Sequence, residues 1–161
     1  MRGKFFACAL GLLAVGSTAQ VRFLATDDEI LYRADSNGNI FSTATLSDGV
    51  VGMTIVPNGV SMTGASGGDV IAIGTTPDPL SGRYPLFRLD NPFGAATLNN
   101  IGSVDRNLTS LAWQGGRLFG VNPLGAVREV DLITLNAGPA DFIGPPAAGF
   151  GDLQWDSANS R

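Results

Sequence analysis

The chain has 161 residues, which is enough for one domain of ordinary size. Only 15% of the residues are charged, which argues against coiled coils and long charged helices. Histidine is absent, so the commonest general base and metal ligand is missing.

Residues 1–19 have the pattern of an export signal. Arg2 and Lys4 form a positively charged region before an apolar run over 5–15. Residues 17–19 are small, as signal peptidase requires. The run is shorter than the ~17–25 residues that span a bilayer. A buried N-terminal helix or strand is the alternative. We predict a signal peptide over 1–19 and a secreted or cell-surface protein, with a periplasmic location also open.

Removal of this leader would leave one domain, residues 20–161, without Cys, Lys or His. Its eight arginines and fourteen acidic residues give a net charge of −6. Nucleic acids and anionic lipids need surplus cations, so neither is expected as a partner. No second apolar stretch could span a membrane. An exported domain without disulfides must depend on its apolar core, and ~140 residues can form one.

Short apolar runs alternate with clusters of Gly, Asn, Asp and Pro, which is typical of an all-β protein. Strands are predicted over 21–25, 29–35, 39–46, 51–56, 69–75, 84–90, 96–101, 109–113, 117–121, 126–131, 139–144 and 150–156. Residues 26–34 could instead form a short helix capped by Thr26 or Asp27.

The sequence also repeats itself. Residues 111–113 and 153–155 match at an offset of 42, and residues 101–102 and 143–144 share that offset. A period of ~40–45 residues suits a four-stranded propeller blade. The twelve strands make about three blades, whereas propellers close with ~4–8. We therefore expect part of a longer propeller, or a chain whose blades are completed in a homo-oligomer.

Residues 86–90, 94–98, 101–102, 111–113 and 116–121 carry a family resemblance. They read as Leu-Phe-x-Leu-Asp, Gly-Ala-Ala-Thr-Leu, Ile-Gly, Leu-Ala-Trp and Gly-x-Leu-Phe-Gly-Val. This resembles exported bacterial propeller proteins of the NHL and YVTN groups, many of which carry a C-terminal Pro-Glu-Pro sorting tail that is absent here. The resemblance implies antiparallel four-stranded blades and does not imply a particular chemistry.

Loops between blades, and between the second and third strands of a blade, share one face of a propeller and commonly bind ligands. The charged candidates there are Asp48, Asp78, Arg83, Asp105 and Arg106. The 76–83 segment is the longest insertion relative to its repeat, so it is the preferred recognition loop.

Asp35, Asn37 and Asn39 resemble the start of a calcium loop. That pattern needs Gly at position six and a bidentate Glu at position twelve, where this chain has Ile40 and Leu46. The preferred interpretation is therefore structural: an aspartate ending a third strand, as at 35, 90 and 131, accepts hydrogen bonds from the following turn. No cofactor is expected, with calcium as the one open alternative.

Two further groups have a structural and a functional interpretation. Asp27, Asp28 and Glu29 form the densest acidic cluster, which is predicted to lie in a solvated turn rather than to bind metal. Trp113 and Trp155 occupy equivalent repeat positions, which favours core packing between blades over a sugar-stacking platform.

No catalytic residue is assigned, because the serines have no His or Lys to activate them. The leading prediction is a non-enzymatic binding or structural module for an extracellular protein or carbohydrate. The alternatives are an extracellular calcium-dependent propeller hydrolase or lyase, and a gene fragment that does not fold.

Overall fold

The structure is a computed structural model that describes residues 22–105 and 107–143. In that part of the chain every regular element is a strand, so the all-β prediction is confirmed. The strands are β1 (Arg22–Asp35), β2 (Ile40–Ile55), β3 (Ser61–Met62), β4 (Ala65–Ser66), β5 (Val70–Gly74), β6 (Tyr84–Asp90), β7 (Thr97–Val104), β8 (Ser110–Gln114), β9 (Arg117–Val121), β10 (Ala126–Val130) and β11 (Ala137–Ile143).

The strands form two large sheets and a small hairpin. The first sheet has the order β1-β2-β5-β6-β7, the second has the order β11-β10-β9-β8, and β3 pairs with β4. All described strand pairs are antiparallel. The second sheet is thus the four-stranded meander predicted from the repeat. Its first turn uses Gly115 and Gly116, both at positive φ, as a two-residue hairpin requires.

The first sheet differs from the predicted blades. β1 is one strand where two were predicted over 21–25 and 29–35, and the alternative helix over 26–34 is wrong. β2 likewise joins the segments 39–46 and 51–56, which the prediction placed in different blades. Asp28 of β1 pairs with Val50 of β2, and Ile30 pairs with Thr45. Residues 46–49 of β2 therefore bulge opposite Glu29, and both strands continue past their polar residues.

A cluster of buried side chains fills the space between the two sheets. It contains residues of the first sheet (Ile71, Ile73, Leu86, Val104), of the second sheet (Leu111, Leu118, Val130), of the loops (Val56, Leu108, Leu135) and of the β3–β4 hairpin (Met62, Ala65). We call it the inter-sheet cluster. The opposite face of the first sheet has its own cluster, which includes Leu24, Leu31, Val70 and Ala72. β5 is therefore buried on both faces.

The sheets are in close contact where β8 begins. Gly52 of β2 has φ +65°, and a Cβ placed there would lie 2.7 Å from the Cα of Ser110. At the far side of the first sheet, a Cβ at Gly102 of β7 would lie 2.4 Å from Cδ1 of Leu135. The second sheet thus extends across the first, from β2 to β7. The described strands do not form a closed ring, and the propeller stays a prediction.

Several predictions fall outside the described residues. They are the signal peptide over 1–19, the strand over 150–156 with Trp155, and the binding candidate Arg106. Across the described part of the chain, no helix has the length and hydropathy of a membrane span.

Candidate functional site

The preferred recognition loop contains a hydrogen-bonded turn built on Asp78. The Oδ1 atom of Asp78 accepts hydrogen bonds from the backbone N–H groups of Leu80 (3.1 Å) and Ser81 (2.7 Å). The Ser81 hydroxyl donates to the same oxygen at 2.9 Å. Because these bonds favour the ionised carboxylate, with those from Ser81 strongest, the pKa of Asp78 lies below its ordinary value of 3.8.

A second loop, which the sequence analysis did not select, has the same construction. The Oδ1 atom of Asp131 accepts from the backbone N–H groups of Ile133 (3.0 Å) and Thr134 (2.6 Å), and from the Thr134 hydroxyl (2.9 Å). The pKa of Asp131 is lowered for the same reason, chiefly by the Thr134 backbone N–H. The shared pattern is Asp-x-Leu/Ile-Ser/Thr, and it could have identified this loop from the sequence.

The two loops also close in the same way. Gly82 N–H donates to Asp78 O, and Leu135 N–H donates to Asp131 O, at 2.8 and 2.9 Å. Both residues have positive φ, +66° and +59°. Each aspartate then donates its own N–H to the sixth residue, Arg83 O or Asn136 O. We call the segments 78–83 and 131–136 the paired loops.

Arg83 connects the paired loops to each other and to the first sheet. Its Nε donates to Ser103 Oγ at 2.8 Å, and its Nη2 donates to Asn136 Oδ1 at 3.0 Å and also to Ser103 O. Next to it, Asp105 Oδ1 accepts from Ala137 N–H at 2.8 Å. Through these bonds Arg83 and Asp105 join the end of β7 to the second sheet. Their role as ligand contacts stays a prediction.

The β3–β4 hairpin holds the second of the paired loops from the other side. Thr63 donates its N–H to Leu132 O at 2.8 Å and its hydroxyl to Ile133 O at 2.7 Å. Leu135 of the same loop is 3% exposed and belongs to the inter-sheet cluster. The backbone of this loop is therefore fixed at both ends and along its length.

The paired loops present aliphatic side chains to solvent. Leu80 is 95% exposed and Ile133 is 80% exposed, at equivalent positions of the two turns. The charged side chains of the loops, Asp78, Arg83 and Asp131, form internal hydrogen bonds. The side chains that extend furthest into solvent are therefore the two aliphatic ones. A binding surface here would recognise an apolar partner group.

The remaining charged candidate is not in a loop. Asp48 lies within β2, in the irregular stretch opposite Glu29, and is partly buried. The structure thus brings Asp78, Arg83 and Asp105 to the region of the paired loops, and it does not bring Asp48 into an exposed loop with them.

The calcium-like segment is a capped five-residue turn. Asp35 Oδ1 accepts from the backbone N–H groups of Asn37 and Asn39, both at 2.9 Å, and Oδ2 accepts from Asn39 Nδ2 at 3.1 Å. These bonds, led by the Asn39 side chain, lower the pKa of Asp35. Asn122 forms the same turn without a charge, by accepting from Leu124 and Ala126 N–H. In the described residues, no group of three or more acidic or cysteine side chains could hold a metal ion.

The other predicted capping aspartate behaves differently. Asp90 pairs with Arg88, with Nε and Oδ1 2.7 Å apart, and Arg88 also donates to Gly64 O of the β3–β4 hairpin. Of the acidic cluster, Asp28 lies in β1 at φ +55° and accepts from the Thr75 hydroxyl at 3.2 Å. The solvated turn predicted for this cluster is part of a strand. Trp113 packs against the inter-sheet cluster, as predicted.

Arg33 is a structural residue that the sequence analysis missed. It is 4% exposed, and its guanidinium donates to Pro92 O and Gly94 O, both at 2.6 Å, and to Ser42 Oγ at 3.3 Å. It therefore fixes the turn between β6 and β7 from across the sheet. Arg33 lies in a strand where polar and apolar residues alternate, and an arginine in such a pattern is expected on the exposed face. The sequence therefore gave no indication that it is buried.

In comparisons with known proteins, no family model, curated sequence or solved structure matched the chain.

Proposed function

We propose that this chain is part of an exported, propeller-like protein that acts as a non-enzymatic binding module. The observation that carries the binding role is the pair of rigid loops with outward aliphatic tips, Leu80 and Ile133. Rigid loops lose little conformational entropy on binding, so the exposed apolar area contributes more fully to affinity.

Three features support the propeller part of the proposal. The second sheet is a four-stranded meander, and β2, β5, β6 and β7 form another within the first sheet. The first strand of each meander, β2 and β8, lies next to the other at Gly52 and Ser110. First strands of neighbouring blades meet in this way around a propeller axis.

The proposed partner is an extracellular protein that offers apolar pockets. Carbohydrate recognition commonly uses exposed aromatic rings, and the tips of the paired loops carry none. The charges of Asp78, Asp131 and Arg83 are taken up by internal bonds. The contact would therefore depend weakly on salt concentration, unlike one made by free surface charges.

Site-specific photo-crosslinking tests this assignment. A photoreactive residue is placed at 80, at 133 or at 124 in the full chain, and each variant is incubated with the extracellular fraction of the source organism. Leu124 is the control, because it is 69% exposed but lies at the opposite end of the second sheet. We expect one shared adduct from positions 80 and 133 and none from 124. Equal labelling from all three would contradict the proposal.

Calcium provides a separate test against the enzyme alternative. A calcium-dependent hydrolase or lyase requires a stabilising shift in melting temperature with calcium that EDTA reverses. The binding-module proposal expects the same melting temperature in both conditions. Differential scanning calorimetry of the full chain distinguishes them.

A further inference from the structure

The chain contains two Asn-Gly sequences, Asn37-Gly38 and Asn58-Gly59, and both are exposed. An asparagine before glycine is prone to deamidation, because the glycine nitrogen can reach the side-chain carbonyl without obstruction by a Cβ. The reaction requires that this nitrogen lose its proton and turn toward Cγ of the asparagine. Its hydrogen bonding in the folded chain therefore controls the rate.

The nitrogen of Gly38 is occupied. Its N–H donates to Asp35 O at 3.0 Å, and Asn37 N–H donates to Asp35 Oδ1 at 2.9 Å. Asp35 N–H closes the turn by donating to Asn39 O at 3.0 Å. Attack on Asn37 Cγ would require these bonds to break first, so the fold protects Asn37.

The nitrogen of Gly59 is in a different situation. Val60 N–H donates to Pro57 O at 3.0 Å, which places Asn58 and Gly59 at the two central positions of a β-turn. Within the described ranges, Gly59 N–H donates to no acceptor, and a Cβ added at Gly59 would meet no atom within 4 Å. Gly59 is thus an exposed residue whose nitrogen is held by no hydrogen bond to any residue that the structure describes, although the backbone of Gly67 packs beside it.

We infer that Asn58 is a selective site of spontaneous deamidation and isoaspartate formation in the folded protein. The Gly59 nitrogen gives up its proton and attacks Cγ of Asn58, and the side-chain nitrogen leaves as ammonia. The resulting succinimide takes up one water at either carbonyl and opens to aspartate or isoaspartate. No oxidant or reductant is required, and the product carries one additional negative charge.

The product changes a turn that the core depends on. Asn58 lies in the turn after β2, and Val60 at its end packs against the inter-sheet cluster. A Cβ at Gly67 would lie 2.9 Å from Cα of Asn58, so the turn is in close contact with the segment after β4. Isoaspartate adds one methylene to the backbone at this point, and the register of the turn must adjust.

Peptide mass spectrometry of the aged full chain tests the inference. The protein is incubated near neutral pH, digested, and fragmented by an electron-based method that separates isoaspartate from aspartate. We expect deamidation at Asn58 to be about tenfold faster than at Asn37, since a hydrogen bond of typical net strength must open at Asn37. Equal rates in the folded protein, or a faster rate at Asn37, would overturn the inference.

Two controls show whether the structure is the cause. In concentrated urea the two sites should deamidate at similar rates, because glycine follows both asparagines. In the folded protein, Asp35→Ala removes the side-chain bonds to Asn37 and Asn39 that hold this turn closed, so the reaction at Asn37 should accelerate while that at Asn58 is unchanged. If the difference between the sites persists in urea, local sequence rather than the fold sets it, and the inference fails.

Discussion

Aspartates that open turns determine which charges this protein can use for contacts. Asp35, Asp78 and Asp131 each accept two backbone N–H bonds from the residues that follow. A carboxylate engaged in this way is still ionised, but the turn uses Oδ1 of Asp78 and Asp131 and both carboxylate oxygens of Asp35. Exposed acidic residues are therefore poor guides to a binding site in this chain.

Replacement of Asp131 tests its role at the level of one side chain. Asp131→Ala should lower the melting temperature by a few degrees and increase amide exchange at Ile133 and Thr134, because two N–H groups lose their acceptor. Asp131→Asn should restore most of the loss, as Asn122 caps its own turn with an amide. Calorimetry and amide exchange measure both effects. Equal losses for Ala and Asn would argue against capping.

The same carboxylates make stability depend on pH. The folded-state pKa values of Asp35, Asp78 and Asp131 lie below the ordinary value of 3.8, because turn N–H groups bind the ionised form. A lowered pKa stabilises the fold fully above the unfolded-state value and ceases to do so as the pH falls through the folded-state value. The free energy of unfolding should therefore decrease below about pH 4.

Urea unfolding at a series of pH values, with carboxyl titration by NMR, checks this dependence. Asp131→Asn should flatten the acid limb, since its amide does not titrate. An unchanged acid limb in that variant would show that other groups cause the pH dependence.

At the scale of elements, the contact between β2 and β8 depends on a glycine. Gly52 has a positive φ, and the Cα of Ser110 occupies the place of a side chain. Any other residue at this position would therefore incur two costs. Its backbone would be strained in the left-handed region, and its Cβ would overlap the backbone of Ser110. Glycines such as Gly38 and Gly82 carry only the first cost.

Gly52→Ala should destabilise the protein by about 2–5 kcal/mol, the sum of a left-handed backbone penalty and overpacking. Gly38→Ala is the matched control, because Gly38 has φ +81° with no atom within 4 Å of a Cβ. It should cost only about 1–2 kcal/mol. Chemical denaturation measures both. Similar losses would mean that the sheets can separate locally without penalty.

Arg33 connects two elements that are distant in sequence. Arg33→Lys should cost about 1.5–3 kcal/mol, because one ammonium cannot replace diverging charge-assisted bonds to Pro92 O and Gly94 O. Arg117→Lys is the control: its side chain is 58% exposed and pairs with Glu129, so it should cost below about 1 kcal/mol. Faster amide exchange in the turn over 91–95 should accompany the first change alone.

At the scale of the molecule, the inter-sheet cluster contains side chains of both sheets, so we expect the two sheets to unfold as one cooperative unit. Leu118→Ala should cost about 2–5 kcal/mol, because Leu118 is fully buried in that cluster. Native-state amide exchange should accelerate in both sheets to a similar degree, whereas Leu124→Ala, at an exposed site, should have little effect. Acceleration confined to β8–β10 would show that the sheets unfold separately.

Much of this architecture could be predicted because local signals and the observed strands agree. The strands over 84–90 and 117–121 were predicted with the observed bounds, since turn residues delimit both. β1 and β2 were divided wrongly because polar residues interrupt their apolar pattern. In the structure, β1 and β2 stay paired across these polar residues by means of a bulge. The pairing depends on the partner strand, which the local sequence does not reveal.

The exposed turn of the candidate site could be predicted from the sequence, but the contacts of its charged side chains could not. The segment over 76–83 was selected as a recognition loop, and it does form an exposed, ordered turn. Asp78 and Arg83 were selected for their charge. The Asp78 carboxylate accepts from residues 80 and 81 of its own turn, whereas Arg83 donates to Ser103 and Asn136, which are 20 and 53 residues further along the chain. Contacts between residues so distant in sequence follow from the fold alone.

The burial of β5 on both faces has a consequence for folding during synthesis. Val70–Gly74 is uncharged, lacks proline and is rich in β-branched residues, which is the composition of segments that self-associate into cross-β fibrils. Its neighbours β2 and β6 shield it only once they are paired, and β6 emerges later from the ribosome. Until then, Asp69 is the adjacent gatekeeper, and a charge-neutral replacement there would favour aggregation over productive folding.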